Sequence, residues 1–221
     1  MATLKGNLTS LDGIGPLQEA VRSHIKKKAT TTYKQAEASI TKKVQDMIRT
    51  RLLASNVTRS LLDGKLRSDF GLSFSNAGRA VKRIIDYISD NIELSLKFAN
   101  RGANVATFSL ELLPMDIKEL SMLPEGNYNS TGEFGGGDVT WLTWLLTRGT
   151  TVVIGDYYVF DNPEGRSRAG SVMQKATNRE GFRVDPAFAG TQDDNFVTRA
   201  LKPIIPAIKD EVFKDFSEAL K

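Results

Sequence analysis

From Leu17 to Ile48, apolar residues recur every three or four positions: Leu17, Val21, Ile25, Ala29, Tyr33, Ala36, Ile40, Val44, Met47 and Ile48. That period draws one apolar stripe along a single helix. Gly15-Pro16 opens it, with Pro16 where its missing N–H costs little, and the pattern reaches about Leu53. At about 1.5 Å per residue, such a helix is roughly 55 Å long. A helix of that length exceeds what a small domain covers, so part of the stripe is expected to meet another subunit. Thr30, Thr31 and Thr32 are the expected weak point, because three β-branched residues in a row disfavour helix.

The same segment concentrates positive charge. Residues 1–60 hold 11 Lys/Arg against 4 Asp/Glu, a balance of +7, while the remaining 161 hold 19 against 22, a balance of −3. This divides the chain into a basic helical arm, 1–60, and a core domain, 61–221. The arm's basic face, Lys26, Lys27, Lys28, Lys34, Lys42 and Lys43, is expected either to be solvated or to face something acidic. Hydrophobic content of 40% and 221 residues suffice for a buried core. There is no cysteine, hence no disulfide framework and no thiolate metal site. Neither a signal peptide nor an apolar run near the roughly 20 residues of a membrane span is visible. The expectation is synthesis in a cytoplasm and no membrane partner.

Beyond the arm, residues 1–14 read as polar and turn-rich, and Leu61, Leu62 and Leu66 as a short helical turn. Residues 78–90 read as a helix with Val81, Ile84, Ile85 and Ile88 on one face. Ile92, Leu94, Leu96 and Phe98 alternate with polar residues, as do Ala106, Phe108, Leu110 and Leu112. The period of two predicts an antiparallel hairpin turning at 101–104. Met115 to Leu123 reads as a short helix, followed by a glycine-heavy loop to Gly137. Asp138 is the expected cap of a compact helix with Trp141, Trp144, Leu145 and Leu146, stopped by Gly149. Thr151–Ile154 and Tyr157–Phe160 suggest a second hairpin across Gly155-Asp156. A final helix is expected over 194–219, bent by Pro203 and Pro206. Together these give an α+β fold, with the long N-terminal helix and the C-terminal helix packed on a small antiparallel β-sheet.

Few residues invite chemistry. His24, the one histidine, stands among Arg22 and Lys26 to Lys28 with no carboxylate spaced to orient it on the helix. Gly135-Gly136-Gly137-Asp138 lacks the Gly-Lys-Ser/Thr ending of a phosphate-binding loop. Asp156, Asp161, Asp193 and Asp194 offer hard oxygens to Mg²⁺ or Ca²⁺. Adjacent aspartates before a helix are more simply a cap. No cofactor, no metal site and no enzyme are expected. Arg166, Arg168 and Arg199 form a sharper polar set, suited to carboxylates of an adjacent subunit or to phosphates.

The stretch Gly165–Leu201 reads as strand, tight turn and capped helix. Asp193 to Asn195 supply the cap, and Phe196, Ala200 and Leu201 fall at helical spacing. Its order, Arg-Ser-Arg-Ala-Gly … Phe-Arg-Val … Phe-Ala-Gly-Thr … Asp-Asn-Phe-Val-Thr-Arg-Ala-Leu, resembles the C-terminal half of tailed-bacteriophage neck and tail-completion proteins. Gly190-Thr191, Asn195-Phe196 and Ala200-Leu201 carry the resemblance, which is best over the last third of the chain.

The resemblance implies a structural virion protein in the neck or the head-proximal tail. It would be a tail terminator, tail-completion or head–tail joining protein, in a ring of six by analogy with the family. Implied partners are further copies of the chain, neighbouring neck, tail-tube or sheath proteins, and DNA passing through a channel. Trp141, Trp144, Arg148, Arg166, Arg168, Asn195 and Arg199 are the expected contact residues, and loop 132–137 is a candidate for reordering on assembly. The competing expectation is a monomeric nucleic-acid-binding protein using the basic helix. A metal-dependent nuclease centred on Asp194 ranks third.

Overall fold

The structure is a computed structural model that describes residues 2–5, 15–98, 106–112, 117–129, 138–161, 171–175 and 181–220. In chain order it contains β1 (Ala2–Lys5), α1 (Gly15–Leu53), α2 (Asn56–Asp63), α3 (Lys65–Asp69), α4 (Phe74–Asp90), β2 (Ile92–Phe98), β3 (Ala106–Leu112) and α5 (Ile117–Ser121). There follow β4 (Tyr128–Asn129), β5 (Asp138–Val139), α6 (Trp141–Thr147), β6 (Ile154–Gly155), β7 (Tyr157–Asp161), β8 (Ser171–Lys175), β9 (Gly181–Phe182), α7 (Phe196–Leu201) and α8 (Ile205–Leu220). This is the expected α+β class, with long helices near both ends and short antiparallel strands.

Two compact units divide the chain, and neither is continuous in sequence. The first comprises residues 1–48, 89–114 and 203–221; the second comprises 49–88 and 115–202. This division does not coincide with a basic arm ending at residue 60, since the arm's residues are shared between both units.

In the first unit, α1 forms without a break at the threonines. Thr30 and Thr31 turn their hydroxyls back onto the carbonyls of Lys26 and Lys27, at 2.8 and 3.0 Å. Thr32 is buried along with Ala29, Ile40, Val44 and Ile48. From Ala29 onward the stripe is buried or half-buried within the chain, whereas Val21, in the part nearer the start of α1, is 45% exposed. Lys43 donates to Asp215 at 2.9 and 3.0 Å and pairs with Glu211, tying α1 to α8, whose Ile208 and Val212 are buried. The expected hairpin is present: β2 and β3 pair antiparallel with Leu94 opposite Leu110 and Leu96 opposite Phe108. A third strand, β1, pairs with the other edge of β3 in the order β1-β3-β2. The polar start of the chain thus contributes a strand where a turn-rich segment was expected. Ala2 and Leu4 alternate with Thr3 and Lys5, but two apolar positions make too short a run to stand out as a strand.

The second unit is built around α6. Trp141, Leu142, Leu145 and Leu146 have no exposed surface, and Trp144 is 9% exposed. Phe70 joins the two indoles, its ring centroid 5.5 Å from Trp141 and 6.4 Å from Trp144; Phe182 stands 6.0 Å from Trp144. These tilted ring pairs contribute beyond their buried area. Gly126 lets the chain approach α6 closely, because a Cβ there would stand 2.7 Å from Leu142 Cδ2. Gly149 ends α6 at φ +56°, a conformation glycine adopts without strain.

Several expectations are corrected here. Asp138 lies in β5, opposite Asn129, and Thr140 precedes α6 without a side-chain cap. The hairpin across Gly155-Asp156 does not form. Instead β6 pairs with β9 and β7 with β8, and the chain reverses partner at Asp156, which takes φ 59°. The final helix is two helices. Pro203 falls in a 3-10 turn, Lys202–Ile204, after α7, and Pro206 lies in the first turn of α8, where no N–H is needed. Helix α4 starts at Phe74, earlier than the apolar face suggests, because Ser73 accepts from the Asn76 N–H and opens it. The turn at 101–104 and the glycines 135–137 lie outside the described residues.

Candidate functional site

The residues that carry the resemblance fold into one hydrogen-bonded brace between α6 and α7. Asn195 is its centre, 1% exposed. Its Oδ1 accepts from the N–H groups of Val197 and Thr198, and its Nδ2 donates to the carbonyls of Thr191 and Gln192 at 3.1 and 3.3 Å. Its own N–H donates to Thr198 Oγ1 at 2.9 Å, completing a reciprocal cap at the start of α7. Asn is required here over Asp, because only the amide both accepts and donates. Thr191 accepts from the Asp194 N–H through its hydroxyl and donates its own N–H to the Asp194 carbonyl.

Gly190 and Gly149 meet backbone to backbone, the Gly149 N–H donating to the Gly190 carbonyl at 2.8 Å. Arg199 closes the brace. Its Nε and Nη2 reach the two Asp194 carboxylate oxygens at 2.9 Å each, and its Nη1 reaches the Ala189 carbonyl at 3.1 Å. The guanidinium hydrogen bonds hold the Asp194 carboxyl below the usual carboxylate range, and the same bonds raise the Arg199 guanidinium. Phe196, Val197, Ala200 and Leu201 are buried, and Arg51 donates to the Ala200 carbonyl at 3.3 Å.

This geometry redistributes the expected contact residues. Asn195 is buried and hydrogen-bonded within the chain, and Trp141 and Trp144 lie in the core, whereas Arg199 pairs with Asp194 and remains exposed. Arg148 is exposed. Arg166 and Arg168 lie outside the described residues. The signal for the Arg199–Asp194 pair was present in the sequence as an i, i+5 spacing across a cap. That spacing is not one of the helix-surface spacings at which ion pairs are sought.

The basic face sorts itself in a similar way. Lys43 is neutralised by Glu211 and Asp215, whose hydrogen bonds, Glu211 first, push its ammonium well above the ordinary lysine range. Lys27, Lys28, Lys34 and Lys42 are exposed, and so is His24.

Apolar groups also reach the surface. On the β7–β8 ribbon Tyr157, Tyr158 and Met173 are each about two-fifths exposed, and Phe213 of α8 is 53% exposed. In the second unit a cavity of about 290 Å³ opens beside the start of α4, lined in part by Asn76, Arg79, Glu125 and Asn127. It offers one cation, one carboxylate and two amides, without the paired nucleophile and base that hydrolytic chemistry uses.

Among the described residues, no group of three His, Asp or Glu side chains is placed to hold a metal ion, and no helix is long and apolar enough to cross a membrane. Comparison of the chain with protein-family models, with curated proteins and with solved structures found no match.

Proposed function

We propose that this chain is a structural virion protein of a tailed bacteriophage. It works as a subunit of a ring in the neck or at the head-proximal end of the tail, as tail terminator, tail-completion or head–tail joining protein, and it makes and breaks no covalent bonds. The observation that carries the reading is the brace from Gly190 to Leu201. The residues on which the family resemblance rests, Gly190, Thr191, Asn195, Phe196, Ala200 and Leu201, are joined there in one architectural unit. Their polar groups are satisfied by the chain itself, which suits a protein that acts through its shape.

Contact with neighbours then falls to surface the core does not use. Tyr157, Tyr158 and Met173 on a two-stranded ribbon have the aromatic and methionine character favoured at the centre of protein interfaces. A closed ring requires two unlike patches on each subunit, and the six-fold count comes from the family.

Light scattering on the purified chain across a concentration series, with negative-stain imaging of the same samples, tests the assembly. Mass spectrometry of purified particles tests the location. A ring, or a chain that joins particles at the neck, is the expected result. A protein that stays monomeric at every concentration and is absent from particles overturns the reading.

A further inference from the structure

We infer that the outward face of α1 between Lys27 and Lys42 is a docking strip for the phosphodiester backbone of duplex DNA, engaged without reading of base sequence. Three observations converge on it. The first is placement. Lys27, Lys34 and Lys42 are seven and eight residues apart on the helix side opposite buried Ala29, Ile40 and Val44, with Lys28 on the flank, and all four lysines are exposed. At 1.5 Å per residue they span about 22 Å of straight helix. A DNA duplex presents about one negative charge per 1.7 Å, hence roughly 13 over that length.

The second observation is selective neutralisation. The fold supplies acids to the cations beside the strip: Glu211 and Asp215 to Lys43, and Asp86 to Arg49. No described acid pairs with the four lysines of the strip. Between Glu19 and Asp46 the sequence holds one acid, Glu37, and its carboxylate accepts from the Tyr33 hydroxyl at 3.0 Å. Glu37 keeps its charge, and four lysines against this one carboxylate leave the face net positive.

The third is what the strip lacks. Between Lys27 and Lys42 the exposed residues are Lys28, Thr31, Lys34, Gln35, Ala38 and Ser39, with no large apolar group among them. The centres of protein–protein interfaces are depleted in lysine and built on aromatic and aliphatic anchors. A lysine strip without anchors matches a polyanion, where each ammonium displaces a condensed counterion. Lysine in place of arginine gives point charges on flexible stems, suited to a backbone at variable register.

The inference does not depend on ring assembly, since the strip belongs to each single chain. Fluorescence anisotropy with a labelled short duplex of arbitrary sequence tests it, with light scattering recording the oligomeric state of the same samples. Binding should be indifferent to sequence, and log K should fall against log salt with a slope of about −3 to −4, four contacts at about 0.9 each. K27Q/K34Q/K42Q should weaken binding about tenfold or more and flatten the slope by about 2 to 3. K175Q/K209Q/K214Q, which removes the same charge elsewhere, should change affinity less than about twofold. Circular dichroism reports folding, and if the triple variant misfolds, Lys34→Gln alone should lower the slope by about 0.9. Equal losses in both triple variants, an unchanged slope, or binding of polyglutamate or anionic vesicles in the absence of duplex binding would overturn the inference.

Discussion

A methyl group added at Gly190 would stand 2.7 Å from Asn195 Cβ and 2.8 Å from the Leu145 carbonyl oxygen. Both belong to well-packed backbone or its first side-chain atom, so neither can step aside without moving α6 or α7. Gly190→Ala should therefore cost about 1–3 kcal/mol, as overpacking does. Gly78, in the interior of α4, meets nothing within 4 Å of an added Cβ, and its backbone is already helical. Gly78→Ala should raise stability by about 0.5–1 kcal/mol by removing the conformational freedom of glycine in the unfolded chain. Urea unfolding of the two variants side by side checks the opposed signs. The Asp194–Arg199 pair is legible through its titration. Because Asp194 is held below its ordinary pKa when folded, the stabilisation it brings is present above the unfolded carboxylate pKa and fades as pH falls through the folded value. The NMR midpoint of the Asp194 carboxyl should lie below that of a free aspartate and return to the ordinary range in Arg199→Ala. A midpoint unmoved by that substitution would show that the guanidinium is not its cause.

At the level of elements, what could be read from residue order depended on how many residues carried the pattern. Helix α1 announces itself over more than thirty residues, and three threonines do not stop it: Thr30 and Thr31 close their hydroxyls onto the preceding turn and Thr32 is buried. Their intrinsic cost remains. Thr31 is exposed, so Thr31→Ala should stabilise by about 0.5 kcal/mol, the difference in helix propensity; a drop in the denaturation midpoint would mean that the Lys27 carbonyl needs its hydroxyl. The β2–β3 hairpin was equally plain, with four alternating apolar positions on each side and matching register. Strands of two residues, such as β6 and β9, have no period to detect, and their partners lie far apart in the chain, Ile154 against Phe182 and Gly155 against Gly181. That is why a Gly-Asp pair between two apolar runs suggested a hairpin that the chain does not make. The capped start of α7 was legible as Asp-Asp-Asn, but which of the three residues caps it was decided by burial. Asn195 alone has both an acceptor and a donor to spend on four backbone groups.

Across the whole molecule, the boundary of charge asymmetry at residue 60 does not coincide with the division into compact units. The unit that holds residues 1–48 also holds 89–114 and 203–221, and the unit that holds 61–88 also holds 49–60. A fragment covering residues 61–221 would therefore lack β1, the strand that pairs with one edge of β3, and all of α1, including buried Ile40, Val44 and Ile48. It would also lose Lys43, the partner of Glu211 and Asp215, and from the second unit Leu52, Val57 and Ser60, whose Oγ accepts from the Leu66 N–H at 3.0 Å. An uncovered β3 edge is a template for pairing with other chains. The fragment should aggregate or show amide protons near β2, β3 and α8 exchanging orders of magnitude faster than in the full chain, since those residues lose the partners that define their unit. Hydrogen exchange followed by mass spectrometry checks this peptide by peptide. Native-like protection of 92–112 and 205–220 in the fragment would show that residues 61–221 fold on their own and that the basic helix is an appendage after all. Fast exchange confined to those segments, with α6 still protected, would show that the second unit survives the loss of its first twelve residues while the first does not survive the loss of α1.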